Sequence, residues 1–240
     1  TGGETINISG TGNGGTGALT STGTAAIEAS GSLNLSGDAT IGGSGTLTLN
    51  TALDNGGSRA LTKTGSGTLE LGADNSTAFT SVTGTITINA GAIKVTDVGG
   101  LGDTLGGTTV ANDAQLEFAL GGNASVAENL SFEGNGGANG AALLHSSANT
   151  LTLTGSLTLT NAGLANDATI SVSNAGGVMS VGAISDGAAT LALTKVGSGA
   201  LLMTAAQAYN GITHVNAGTL RAGLADVLTA GAGLDLGATG

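Results

Sequence analysis

The chain of 240 residues contains no cysteine, no proline and no tryptophan, and aromatic residues make up 2% of it. Each absence excludes something. Without cysteine there is neither a disulfide framework nor a thiolate zinc site; such a chain suits a protein that crosses a membrane unfolded. Without proline, and without a strict three-residue glycine period, collagen is excluded. With so few aromatics, the broad core of a sandwich or an antiparallel barrel is hard to fill. Charge is scarce as well, at 9% of residues with a net charge of −11. The five basic residues, Arg59, Lys63, Lys94, Lys195 and Arg221, are scattered and form no basic run. Nucleic acid and anionic membrane are therefore not expected as partners. No apolar run approaches the ~18 residues of a membrane-crossing helix, and the first residues lack the pattern of a signal segment.

Glycine is abundant, with 46 residues against a usual share of ~7%. Apolar residues still reach 40%, mostly Ala, Leu, Ile and Val. That is too many for a disordered chain and enough for a thin core of small and medium aliphatic side chains.

Alternation with period two recurs along the chain: "ETINIS" (4–9), "SLNLS" (32–36), "TLTLN" (46–50), "TITIN" (85–89) and "TLTLTGSLTLT" (150–160). Each puts Leu or Ile on one side and Thr or Asn on the other, which marks a half-buried strand. Between them lie "GTGNGGTG", "LDNGGS" and "EGNGGANG", clusters of residues that tolerate positive φ and make turns. No window shows a helical apolar stripe. The expected fold is all-β: a parallel β-helix, a single-stranded solenoid of roughly ten coils of ~20–25 residues each. Its coils stack strands ~4.8 Å apart around a narrow aliphatic interior, and identical residues form ladders along it. The chain reads as one continuous segment, 1–240. Its strand-like beginning, "TGGETINISG", and end, "GLDLGATG", read as cuts from a longer protein.

One string returns. "LTKTGSGTLELG" begins at Leu61 and "LTKVGSGALLM" at Leu193, an offset of 132 residues. Asp54 and Asp186 each stand nine residues before the lysine. Downstream, Asn89-Ala90-Gly91 and Ile93 correspond to Asn216-Ala217-Gly218 and Leu220 at an offset of 127, so the first copy holds five extra residues around "NSTAFTSVTG". Phe79 and Tyr209 take similar places in that loop. The copies cover about 54–95 and 186–222. Strings of the form Leu-Thr-Lys-x-Gly-x-Gly-x-Leu, then an aromatic-containing turn, then Asn-Ala-Gly-x-Leu/Ile, resemble the autotransporter-associated β-strand repeat, also called the passenger-associated transport repeat. The resemblance implies a right-handed parallel β-helix in a large secreted or surface-exposed bacterial protein, and a repeat that assists export and folding. A membrane barrel often follows in that family; this chain contains none.

Alternation predicts that Leu61, Leu69, Leu71, Ile86, Ile88, Ile93 and Val95 point inward, with Gly65, Gly67 and Gly91 at tight corners. Lys63 and Lys195, as charged groups, are expected to point outward. Each aspartate–lysine spacing is open to two readings, an ion pair across a corner or two separately solvated charges.

Candidate chemistry is sparse. His145 and His214 lack partners at metal-ligand spacing and read as solvated or ladder-packed. Serine never sits in a Gly-x-Ser-x-Gly elbow. "GNGGTG" (12–17) lacks the lysine and the helix of a phosphate loop. "GGSGTLTLN" (42–50) has the glycines of a calcium-binding nonapeptide but no carboxylate ligand. Asp97, Asp103, Asp113 and Glu117, or Glu128 with Glu133, are the carboxylates that coil stacking could bring to glycosidase separation; the simpler reading is a solvated acidic face. No catalytic, cofactor-binding or metal-binding residue is assigned, and no enzymatic activity is expected.

The leading functional reading is structural: a stalk or passenger segment of an exported, cell-surface bacterial protein that presents an adhesive region or forms surface fibres. The alternative is a glycan- or surface-binding module using outward threonines such as Thr46/Thr48, Thr85/Thr87, Thr150/Thr152/Thr154 and Thr158/Thr160. A polysaccharide-degrading β-helix comes third, and ice binding fits worse because the threonine rows are intermittent. End-to-end self-association and host or surface glycans are the partners considered, with no membrane contact in this segment.

Overall fold

A computed structural model describes residues 4–28, 30–56, 58–77, 84–161, 167–187, 189–228 and 233–237. Phe79 lies outside them. The fold is all-β, a parallel β-solenoid of the right-handed β-helix type, with about nine turns in total. Two 3-10 turns, Asn13–Gly15 and Gly137–Asn139, are the only helical segments among the described residues. The chain divides into two compact units, Thr1–Thr109 and Val110–Gly240.

In the first unit, Thr5–Gly10, Ser32–Gly43, Leu61–Lys63 and Ile86–Ile88 follow one another in one parallel sheet, flanked by Leu19–Ser21 and Leu53–Asp54. A second sheet stacks Thr24–Ile27, Thr46–Leu49, Thr68–Leu71 and Gly91–Val95. Thr24, Thr46, Thr68 and Ala92 stand opposite one another, so a coil takes 22 to 24 residues.

The second unit has three sheets. One runs Ala124–Val126, Thr150–Leu153, Val178–Val181, Ala200–Met203, Thr219–Ala222. Another runs Ala114–Phe118, Leu143–His145, Ala168–Val172, Leu193–Val196, Thr213–Val215, Leu234–Leu236. The third joins Leu130–Phe132, Leu157–Leu159 and Ile184–Ser185.

The cores follow from the alternation. Leu61, Leu69, Leu71, Ile86, Ile88, Ile93 and Val95 are all buried, as their period predicts. Stacking places like on like: Leu47 on Leu69 and Leu49 on Leu71, with Thr46 on Thr68 outside them. Each such aliphatic side chain contributes ~1.5–3 kcal/mol on full burial. The three described aromatics lie in the second unit, where Phe118, Phe132 and Tyr209 are fully buried.

Candidate functional site: the lysine-closed corners

Lys63 and Lys195 overturn the expectation that they point outward. They are 2% and 0% exposed. Each is the last inward residue of its strand, stacked in a ladder of aliphatics: Ile41, Lys63, Ile88 in the first unit and Ile170, Lys195, Val215 in the second. The residue period decides this. Lys63 is two residues from Leu61, so it faces the same side, and the cost of burying its charge is met by hydrogen bonds.

Those bonds are the same in both copies. Lys63 Nζ donates to the carbonyls of Thr64 (2.8 Å), Gly65 (2.9 Å) and Ala90 (3.2 Å). Lys195 Nζ donates to Val196 (2.6 Å), Gly197 (2.8 Å) and Ala217 (3.1 Å). An ammonium has three donors, and all three are used. Two acceptors belong to the corner that directly follows the lysine. The third belongs to the next coil, so the side chain ties two successive corners together. The backbone repeats the pattern: Asn89 N–H donates to Lys63 O and Asn216 N–H to Lys195 O, both at 2.9 Å.

Glycine makes room for this arrangement. Gly91 and Gly218 both have φ of +70°, a conformation that glycine adopts without the Cβ penalty. A Cβ on Gly91 would lie 2.3 Å from Gly67 O, 2.4 Å from Gly65 O and 2.9 Å from Lys63 Nζ; on Gly218 it would lie 2.3 Å from Gly197 O, 2.4 Å from Gly199 O and 2.9 Å from Lys195 Nζ. The Asn-Ala-Gly segment is thus the lid of the corner.

Burial pushes both ammonium groups down to about 8 from their usual 10.5. Between pH 8 and 10.5 the unfolded chain then holds more protons than the folded one, so stability rises with pH across that window. Burial also raises the Tyr209 phenol, which acts in the opposite direction above about pH 10. The urea midpoint is therefore expected to climb from pH 7.5 to 9.5, and the climb to disappear in a Lys63→Met/Lys195→Met double variant. An unchanged slope in that variant would contradict the assignment.

Neither reading of the aspartate–lysine spacing holds. Asp54 accepts from Gly56 N–H (2.7 Å) in a local turn. Asp186 is buried and accepts from Leu191 N–H (3.2 Å), Asn210 N–H (3.0 Å) and Asn210 Nδ2 (3.3 Å). The sequence reading missed another shared pair. Six residues after Leu69 and Leu201 stand Asn75 and Gln207, both buried. Asn75 Oδ1 accepts from Leu53 N–H at 2.7 Å and Gln207 Oε1 from Ile184 N–H at 2.9 Å. Asn75 Nδ2 also donates to Gly100 O, and Gln207 Nε2 to Gly182 O and Ala205 O. The common spacing was the available signal, masked by the change from Asn to Gln. Tyr209 hydrogen-bonds Thr213 Oγ1 at 2.5 Å, both residues fully buried. Tyr209→Phe is expected to lower the unfolding free energy by about 1–2 kcal/mol by orphaning that hydroxyl, measured by urea titration.

Most of the remaining candidates have hydrogen-bond partners of their own. His145 stacks between Phe118 and Val172, with Nδ1 3.3 Å from Phe118 O and Nε2 2.9 Å from Asn149 O. His214 pairs with Asp235 at 3.0 Å near the surface. Asp97 and Asp103 accept from the N–H groups of Gly99 and Leu105, Glu117 from Ser146 Oγ, and Glu133 from Asn112 N–H. Among the described residues no three His, Asp or Glu side chains gather as metal ligands. Threonine rows run for a few coils only: Thr24, Thr46, Thr68, then Ala92; and Thr40, Thr62, Thr87.

An aliphatic solenoid with corners closed by a buried lysine and a glycine lid is a structural repeat protein in its architecture. The repeat has a known counterpart: the passenger-associated-transport-repeat family model matches residues 61–95 and 193–222. The chain carries two such repeats, one in each compact unit. No curated protein and no solved structure matches the chain.

Proposed function

We propose that this chain is a passenger-type structural segment of an exported bacterial surface protein, which holds an adhesive region away from the cell. The observation that carries the reading is the pair of passenger-associated transport repeats, each built into the aliphatic solenoid core of its own unit. Backbone ladders between coils and buried corners resist unfolding and proteolysis, which suits a spacer. The test is display on a bacterial surface with an epitope at the end remote from the anchor. External antibody and protease reach the epitope tag while the segment itself stays intact. An epitope retained inside the cell, or a segment digested as fast as its unfolded form, argues against the proposal.

A glycan-binding face is the second reading, favoured by the in-register threonines Thr24, Thr46 and Thr68. Glycan-array binding that is lost on Thr46→Val/Thr68→Val would favour it over a plain spacer. End-to-end association is tested by light scattering at high concentration, where a monomer at every concentration speaks against fibres.

A further inference from the structure

A solenoid of this composition has a register problem. Thr46–Leu49 and Thr68–Leu71 alternate the same kinds of residue. Sliding one coil by two residues keeps leucines inside and threonines outside, so the apolar pattern does not choose between the two stackings. Side-chain alternation penalises a slip of one residue, which turns the leucines outward, but not a slip of two. Ion pairs and aliphatic packing at the surface of the coils add little discrimination: Glu70 and Lys94 form a partly exposed pair at 3.2 Å, of the kind that contributes little.

The lysine corner does discriminate. Of the three acceptors of Lys63 Nζ, Ala90 O lies on the next coil, and the same is true of Ala217 O for Lys195. A two-residue slip moves the following coil by ~6.6 Å. That takes the third acceptor out of reach and leaves a buried ammonium hydrogen unpaired. It also replaces the glycine lid by Asn89 or Ile93, whose Cβ meets a space in which the Gly91 position leaves 2.3 Å to Gly67 O. Donor count and steric fit therefore select one register, and they do so in both units with the same geometry. Buried polar groups that fix registry at some expense in stability are the best-attested use of such groups.

We propose that Lys63 with Gly91, and Lys195 with Gly218, are register keys: they fix the stacking of the coil that follows each lysine. Their role is to exclude slipped pairings of the threonine–leucine strands.

The chain has no cysteine, so introduced pairs report register cleanly. Thr62 faces Thr87 in the native stacking; directly opposed Cα atoms ~4.8 Å apart allow a disulfide, whereas a two-residue diagonal exceeds the ~7 Å limit. Three full-length double-cysteine proteins are refolded and oxidised: Thr62→Cys with Thr87→Cys for the native register, and Thr62→Cys with Thr85→Cys or with Asn89→Cys for the slipped ones. With Lys63 present, only the native pair is expected to close. With Lys63→Met, a slipped pair is expected to close in on the order of a tenth of molecules or more, the population of a state no longer excluded. The same reading at Thr194 with His214, Ile212 and Asn216 tests Lys195→Met in the second unit. Native closure alone in both methionine variants overturns the proposal. Failure to form any of the cross-links also overturns it, because the lysine is then required for folding itself.

Discussion

Gly91→Ala destabilises the first unit by about 2–5 kcal/mol. Two costs add. The alanine must take a φ of +70°, which costs a non-glycine residue ~1–2 kcal/mol. Its methyl must also fit against Gly67 O and Gly65 O at 2.3 and 2.4 Å, and overpacking of this kind costs ~1–3 kcal/mol. Both atoms are backbone, so neither can swing away as a side-chain tip would. Gly218→Ala does the same in the second unit, where Gly197 O and Gly199 O stand at the same distances. Hydrogen exchange on the full chain measures the loss locally. The amides to watch are Ala92, bonded to Gly67 O at 3.1 Å, and Thr219, bonded to Gly199 O at 3.1 Å. Gly121 provides the control: a Cβ there meets nothing within 4 Å, and Gly121→Ala is expected to leave exchange unchanged. Equal effects at Gly91 and Gly121 would remove the close-packed lid from the account.

Lys63→Ala, and likewise Lys195→Ala, lowers the unfolding free energy of its unit by about 3–5 kcal/mol. Truncation empties the space of three methylenes and the ammonium among Ile41, Leu61 and Ile88, all buried, and large-to-small changes of this size cost ~2–5 kcal/mol. It also strips three carbonyls of their donor, each of which carries a desolvation penalty when left unpaired. Lys63→Met keeps most of the volume and removes the cost of burying the charge, so it falls between the wild type and the alanine variant. Lys94→Ala is the contrast. Its lysine is partly exposed and paired to Glu70, a contact of ~0–1 kcal/mol. If Lys63→Ala and Lys94→Ala prove equally mild in urea titration, the buried ammonium does not hold the corner.

The strands and most of the core were legible because a parallel coil repeats the simplest period a chain has. Leu69, Leu71, Ile86, Ile88, Ile93 and Val95 went inside as alternation requires. Lys63 shows where two sequence rules conflict. Its spacing from Leu61 placed it inside, and its charge argued for the outside. Spacing prevailed, because the corner glycines bring carbonyls to within 3.2 Å of the ammonium and supply the hydrogen bonds that solvent would have given. The return of the lysine at Lys195, again ahead of Gly-Ser-Gly, was the clue that it belonged to the corner. Asn75 and Gln207 were harder to see. They are different residues in unlike surroundings, and only their common task of receiving a strand N–H one coil earlier makes them equivalent.

The sequence alone determined that this chain is all-β, that its core is aliphatic, and that one motif occurs twice. Local spacing carries those facts, since side-chain direction in a strand depends only on position along it. The tertiary structure decided what the motif does. A lysine has no preference for the interior until carbonyls from its own corner and from the next coil, 27 residues away in one copy and 22 in the other, converge on it. That convergence depends on how one coil stacks on another.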